Sequence, residues 1–282
     1  MRKCRWFSLA LVLLLFCASA VPAAGAGFEE EDISLDDLAE IEEEQLWTFP
    51  VALEDMTTER NRIANKHYLL DDTYVCEPLV TIKNAKLNKD GSRKSGDMLV
   101  ASKGMQLNIL CAEALIEMSD AARADGYKLY LKSAYRSYRT QKTMYNNRLK
   151  KNKGKDDGWV AKPGSSDHQT GLGCDVIPKS WLKAAGMNSK MAKEPECQWM
   201  AEHCHEYGFI IRYPEDKQEI TEIKYEPWHL RYVGIPVATY IMENGLCLEE
   251  FVEQLNQACR DYIARGGDPD NVTKFIQTPS DE

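Results

Sequence analysis

Five histidines occur in 282 residues, and two of them stand beside carboxylates at spacings that suit hydrolytic chemistry. His168 precedes Asp175 across Gln-Thr-Gly-Leu-Gly-Cys, whose two glycines let the chain bend so that both side chains can converge. His229 follows Glu226 across Pro-Trp. A catalytic zinc takes three ligands drawn from His, Asp, Glu and Cys and keeps one position for water. A nearby carboxylate that is not a ligand can act as the base toward that water. Either spacing alone is a weak signal, but with so few other histidines the two together point to a metal hydrolase. His203 and His205, two apart on a predicted helix, face different sides and make no ligand pair. His67 reads as a surface or packing residue.

Helices and short strands must position these groups. Apolar residues recur at helical spacing through Leu107, Leu110, Leu115, Met118 and Ala122, and the pattern stops at Gly126. Tyr127, Leu129 and Leu131 then alternate as in a strand. Ser137 is placed to cap a helix beginning at Tyr138. The segments from Gly171 and Phe209 read as strands, and the one around Glu226 is extended because a residue before proline disfavours the helical region. Two further helices are predicted, one ending at Gly208 and one at Gly266-Gly267. Such interleaving predicts an α+β domain, a small central antiparallel sheet with helices packed around it.

The ends of the chain carry different signals. Arg2, Lys3 and Arg5 precede an uninterrupted apolar run, and the small residues Ala18-Ser19-Ala20 and Ala24-Gly25-Ala26 follow. This pattern predicts a secretory signal over 1–26, with an uncleaved membrane anchor as the alternative. The chain is therefore expected outside the cytoplasm, secreted or held at the outer face of a membrane. Ten carboxylates then fall between Glu29 and Glu44 with no basic residue, so seven of the nine net negative charges lie in the first 44 residues. A block of like charge is usually solvated, and 27–60 is read as an acidic linker. The nearly neutral remainder argues against nucleic acid as a partner. Seven cysteines beyond the leader are an odd number at irregular spacings without a CxxC pair, so most are expected as small core residues.

Three segments bring these observations together. Ser-Ala-Tyr-Arg-Ser-Tyr-Arg-Thr-Gln (133–141), Ser-Ser-Asp-His-Gln-Thr-Gly-Leu-Gly-Cys-Asp-Val (165–176) and Tyr-Glu-Pro-Trp-His-Leu-Arg-Tyr-Val-Gly (225–234) resemble the signature segments of VanY-like zinc D-alanyl-D-alanine carboxypeptidases, in the same order. The resemblance runs from about Asn65 to about residue 251 and implies a single catalytic zinc domain over 61–255, with 256–282 as a helix end and polar tail. It implies one zinc ion held by His168, Asp175 and His229, with Glu226 as the proton acceptor and donor and Arg136 polarising the scissile carbonyl. Ser166 and Gln141 are implied as polar groups for substrate, and Trp228 and Tyr232 as pocket walls. Asp167 is either a support for a ligand or an exposed loop carboxylate. The implied substrate is the peptidoglycan stem peptide, ending in D-Ala-D-Ala or in L-Lys-D-Ala, and the default assembly is a monomer.

Two departures stand out: the family usually has Leu-Ala-Val-Asp where this chain has Leu172-Gly173-Cys174-Asp175, and glycine where it has Glu222. Cys174, so near the ligands, raises an expectation of sensitivity to oxidation. A serine peptidase is a rival reading through Ser180-Trp181-Leu182-Lys183, but no Ser-x-Asn accompanies it and the only Lys-Ser-Gly lies upstream. A non-catalytic wall-binding module would be expected to lose Glu226 or Arg136, and both are present.

Overall fold

The computed structural model describes residues 46–74, 77–157 and 160–280. The leader expected over 1–26 and most of the acidic segment lie outside the described residues. No helix among the described residues is long and apolar enough to cross a membrane.

Early in the described residues come a short helix α1 (Leu53–Met56) and a run of small strands. Strand β1 (Leu79–Thr81) pairs antiparallel with β5 (Gln106–Asn108), and β2 (Lys86–Leu87) pairs with β3 (Arg93–Ser95). The sheet that carries the site is built from β4 (Leu99–Val100), β6 (Leu129–Ser133), β7 (Gly173–Pro178), β8 (Phe209–Ile211) and β9 (His229–Tyr232), in the spatial order β4-β6-β7-β9-β8. Its pairings are antiparallel except at one edge, where β4 runs parallel to β6. The sheet expected as antiparallel is therefore mixed at that edge. The connection from β4 passes through β5 and α2 (Ile109–Ala124) before returning, the kind of crossover a parallel pair requires.

Helix α2 starts where the Asn108 side chain accepts from the Leu110 amide, and the chain leaves it through Gly126 at φ 92°. Its buried stripe of Cys111, Leu115, Met118 and Ala122 packs on the sheet with Leu129, Leu131, Val176 and Leu230. Helix α3 (Tyr138–Lys151) is capped by Ser137 and buries only Gln141. Helix α4 (Pro195–His203) adds Cys197, Trp199 and Met200 to the same cluster. Beyond the short helix α5 (Gln218–Thr221), α6 (Ile235–Glu243) and α7 (Leu248–Ala264) build a second cluster, and α8 (Pro269–Val272) closes it.

That second cluster revises the expected boundaries. Trp47, Val51 and Met56, assigned to the acidic linker, are buried in it. So are Cys259, Tyr262 and Val272, assigned to the helix end and polar tail beyond the catalytic domain. The reason is amphipathicity: α7 keeps its apolar stripe from Leu248 to Tyr262, past the expected edge at residue 255, and that stripe needs a cover. Trp47 supplies part of it, its ring 6.1 Å from that of Tyr262 and its Nε1 donating to the Val51 carbonyl at 2.7 Å.

Candidate metal centre

Strand register does most of the assembly. Asp175 on β7 lies directly opposite His229 on β9, and Ser133 at the end of β6 lies opposite Asp175. Because side chains alternate along a strand, Asp175 and His229 share one face while Cys174, Val176 and Leu230 point into the first core. His168 arrives from the 3₁₀ turn Asp167–Thr170, which ends on Gly171 at φ 69°. That left-handed residue lets the chain reverse into β7. The turn is pinned to the end of β6 twice: the Arg136 amide donates to the His168 carbonyl at 3.1 Å, and His168 Nδ1 donates to the Ala134 carbonyl at 2.9 Å.

The tautomers follow from these partners. With Nδ1 spent on a carbonyl, His168 presents the lone pair of Nε2, 3.5 Å from Asp175 Oδ2. His229 is the reverse: Nε2 faces Asp167 Oδ2 at 3.3 Å, so Nδ1 points to Asp175 Oδ1 at 3.2 Å and Glu226 Oε2 at 3.5 Å. Ligand atoms of His168, Asp175 and His229 all lie within 4.8 Å of one another, and all three residues are buried. The imidazoles meet edge-on, with centroids 4.9 Å apart at 64°.

The donor set fits a divalent metal. Asp175 Oδ1 is buried and has no polar partner but His229 Nδ1 at 3.2 Å, so a cation between the two answers a carboxylate oxygen that nothing else satisfies. Burial, reinforced by His229 and Arg136, pushes His168 down to about 4, so it is neutral and able to ligate at neutral pH. Burial opposes protonation of His229 too, but Asp167, Asp175 and Glu226 outweigh it and raise that imidazole well above its ordinary value. A metal must therefore displace a proton there, and affinity falls as pH falls.

The remaining sequence-predicted residues divide. Glu226 stands at the rim, its amide donating to the Tyr213 carbonyl at 3.1 Å. Arg136 faces the ligands closely enough to feel the carboxylates of Asp175 and Glu226, which oppose the effect of its burial. Gln141, expected to meet substrate, is instead fully buried and spent: it accepts from Arg136 at 2.9 Å and donates to the Ala161 carbonyl at 2.6 Å. Ser166 is buried immediately before the His168 turn. Trp228 and Tyr232, expected as pocket walls, pack with the first core. Tyr232 lies three positions beyond His229 and hence on the opposite face of β9, with its ring 5.3 Å from Phe209. Ser180 is exposed and bonded to Glu194 at 3.0 Å, without the surroundings of a nucleophile.

Four residues around the ligands were not singled out by type and spacing, or were left open. Asp167 is buried behind His229. Arg212 and Arg231 are buried completely, and Tyr213 lays its ring 5.0 Å from that of His229. The available signal was an arginine directly after the apolar run Phe-Ile-Ile and another inside His-Leu-Arg-Tyr, since a buried arginine demands a buried carboxylate.

Comparisons with known proteins agree with this geometry. The family model for VanY, D-alanyl-D-alanine carboxypeptidase, matches residues 104–235. YodJ of Bacillus subtilis (strain 168) is 32% identical over 272 residues, covering 90% of this chain and 98% of its own length. A D-alanyl-D-alanine carboxypeptidase of Enterococcus faecalis (strain ATCC 700802 / V583) is 38% identical over 161 residues, 54% of this chain and 57% of that protein. Among solved structures, the LdcB LD-carboxypeptidase superposes with a TM-score of 0.56 at 37% identity, covering 68% of this chain and 84% of the other. A vancomycin-resistance D,D-pentapeptidase VanY in complex with Zn(II) gives 0.50 at 30% identity, covering 69% and 99%.

A mixed sheet presenting two histidines and an aspartate to one point defines a zinc metallopeptidase, and one zinc per chain is its cofactor. The chain belongs to the VanY family of D-alanyl-D-alanine carboxypeptidases.

Proposed function

We propose that this hydrolase removes the C-terminal D-alanine from peptidoglycan stem peptides, working outside the cytoplasm beyond its N-terminal leader. The observation that carries the reading is the convergence of the buried ligands His168, Asp175 and His229 with a free carboxylate, Glu226, 3.5 Å from His229 Nδ1. Zinc held by the three ligands supplies Lewis acidity, polarising a carbonyl and acidifying a water. Glu226 takes the proton of that water and returns it to the departing D-alanine amine. Arg136, held by Gln141, presents a cationic guanidinium where negative charge develops on the scissile carbonyl or rests on the substrate carboxylate. Ser166 offers a further polar contact. One chain supplies every ligand, so a monomer suffices.

The Enterococcus faecalis relative is a D-alanyl-D-alanine carboxypeptidase, which favours a D-Ala-D-Ala terminus. The similarity to the LdcB LD-carboxypeptidase keeps the L-Lys-D-Ala tetrapeptide as the second reading. Release of D-alanine from synthetic pentapeptide and tetrapeptide stems separates them. The expected outcome is release from the pentapeptide and about one zinc per chain in both wild type and Glu226→Gln. The variant should lose roughly 10²–10⁴-fold in rate. Tetrapeptide cleavage alone would move the substrate to the L,D class, and an unimpaired variant would remove Glu226 from the mechanism.

A further inference from the structure

Behind the metal ligands lies a group of buried charges with no part in the steps above. Asp167 has its two oxygens assigned to different partners. Oδ2 faces His229 Nε2 at 3.3 Å, while Oδ1 accepts from Arg231 Nη1 and lies 3.6 Å from Arg212 Nε. Both arginines are held from behind. Arg231 Nη2 donates to the carbonyls of Arg60 at 2.9 Å and Arg62 at 2.5 Å, and Nε to that of Tyr232 at 3.2 Å. Arg212 makes a two-pronged contact with Glu249 at 2.8 and 2.6 Å, and its guanidinium lies 4.7 Å from the centre of the Tyr213 ring. Two carboxylates and two guanidinia thus balance inside the fold, and Asp167 cannot rotate without leaving an arginine unpaired.

A second, independent feature converges on the same atom. Gly173 opens β7 opposite Arg231, and a Cβ at that position would lie 2.4 Å from Asp167 Oδ2 and 3.1 Å from the Asp167 carbonyl oxygen. Gly173 has no positive φ, so the backbone allows alanine there, and the three atoms nearest to an added Cβ all belong to Asp167.

We propose that Asp167 is a positioning residue for zinc. Clamped by Arg231 and Arg212 and admitted by the missing side chain at Gly173, it takes the Nε2 proton of His229 as a hydrogen bond and so keeps the Nδ1 lone pair aimed at the metal. The inference rests on His229 being a zinc ligand. In Asp167→Asn the oxygen must still face Arg231, which turns the amide N–H toward His229 Nε2. That donor is satisfied only by the opposite tautomer, with the proton on Nδ1 where the metal belongs. Gly173→Ala changes no charge and acts by pushing the carboxylate off the imidazole.

Zinc dissociation constants measured by chelator competition test this, with circular dichroism and thermal unfolding of the zinc-free proteins as the check on folding. Asp167→Asn should bind zinc roughly 10–100-fold more weakly than wild type. Gly173→Ala should weaken it in the same direction, and the double variant should be no weaker than Asp167→Asn, because both changes remove one hydrogen bond. A purely structural role would lower the unfolding temperature and leave the dissociation constant alone. Wild-type zinc affinity in either folded single variant would overturn the inference. If Asp167→Asn does not fold, Gly173→Ala, which keeps every charge, decides. A wild type that binds no zinc would instead sink the ligand assignment itself.

Discussion

His229 is faced by three carboxylates, Asp167, Asp175 and Glu226, and each has a different relation to it. Asp167 is fixed by arginines, Asp175 shares the ligand set, and Glu226 alone retains exposure with which to move a proton. One functional group thus serves three roles because burial and cationic neighbours differ at each position. The cysteines show the same dependence on surroundings. Cys174 adjoins a ligand in sequence, yet it points into the core beside Cys111, away from the metal face. Burial pushes Cys197, Cys204 and Cys247 up to about 12 and Cys259 up to about 11. A raised value suppresses the thiolate below that pH, so at pH 8 only about one thiol in 10⁴ or fewer is reactive at the first three. Iodoacetamide at pH 8 should leave all four unlabelled in the native protein and label them in denaturant, as read by peptide mass spectrometry. Native labelling of Cys204 would contradict its burial.

At the scale of elements, the two departures from the family pattern have local causes. Gly173 leaves the room that Asp167 occupies. Glu222 ends α5 in the left-handed region at φ 56°, where glycine is the easier residue, and it is compensated by Lys66 Nζ at 2.7 Å and His67 Nε2 at 3.1 Å. These partners are exposed, so their contribution is small and screened by salt. Glu222→Gly should therefore leave unfolding free energy within about 1 kcal/mol of wild type. The balance should shift in favour of glycine in 1 M salt, where the ion pairs are already lost. Denaturant melts at low and high salt check this: a large loss at low salt that vanishes in 1 M salt would show that the ion pairs outweigh the strain, and a large loss at both would contradict this account.

For the whole molecule, the site depends on two hydrophobic clusters that meet at the edge of the sheet. Leu230 on β9 belongs to one and Ile210 on β8 to the other. The arginines that hold Asp167 reach the carbonyls of Arg60 and Arg62 and the side chain of Glu249 in α7, so segments on both sides of the signature motifs support the centre. Trp47→Ala, made far from the metal, should cost about 3–5 kcal/mol by emptying part of the second cluster. Thermal or denaturant unfolding of the zinc-loaded enzyme measures it. A loss under about 1 kcal/mol would mean that the segment around Trp47 is not part of the folded unit.

The elements that the sequence determined by itself are those with local causes. Asn108 and Ser137 start helices because their side chains satisfy free amides, Gly126 and Gly208 end them because φ is positive there, and Leu129 and Leu131 alternate because a strand has period two. The histidine and carboxylate motifs were readable for the same reason: His168 to Asp175 spans eight residues and Glu226 to His229 four. What only the tertiary structure decided is pairing across distance. The register that sets Asp175 against His229, the parallel β4–β6 edge, the face on which Tyr232 lies and the clamp of Arg212 and Arg231 on Asp167 all join segments far apart in the chain. A buried charge selects its partner by three-dimensional proximity and by the cost of remaining unpaired, and neither quantity is written in local spacing.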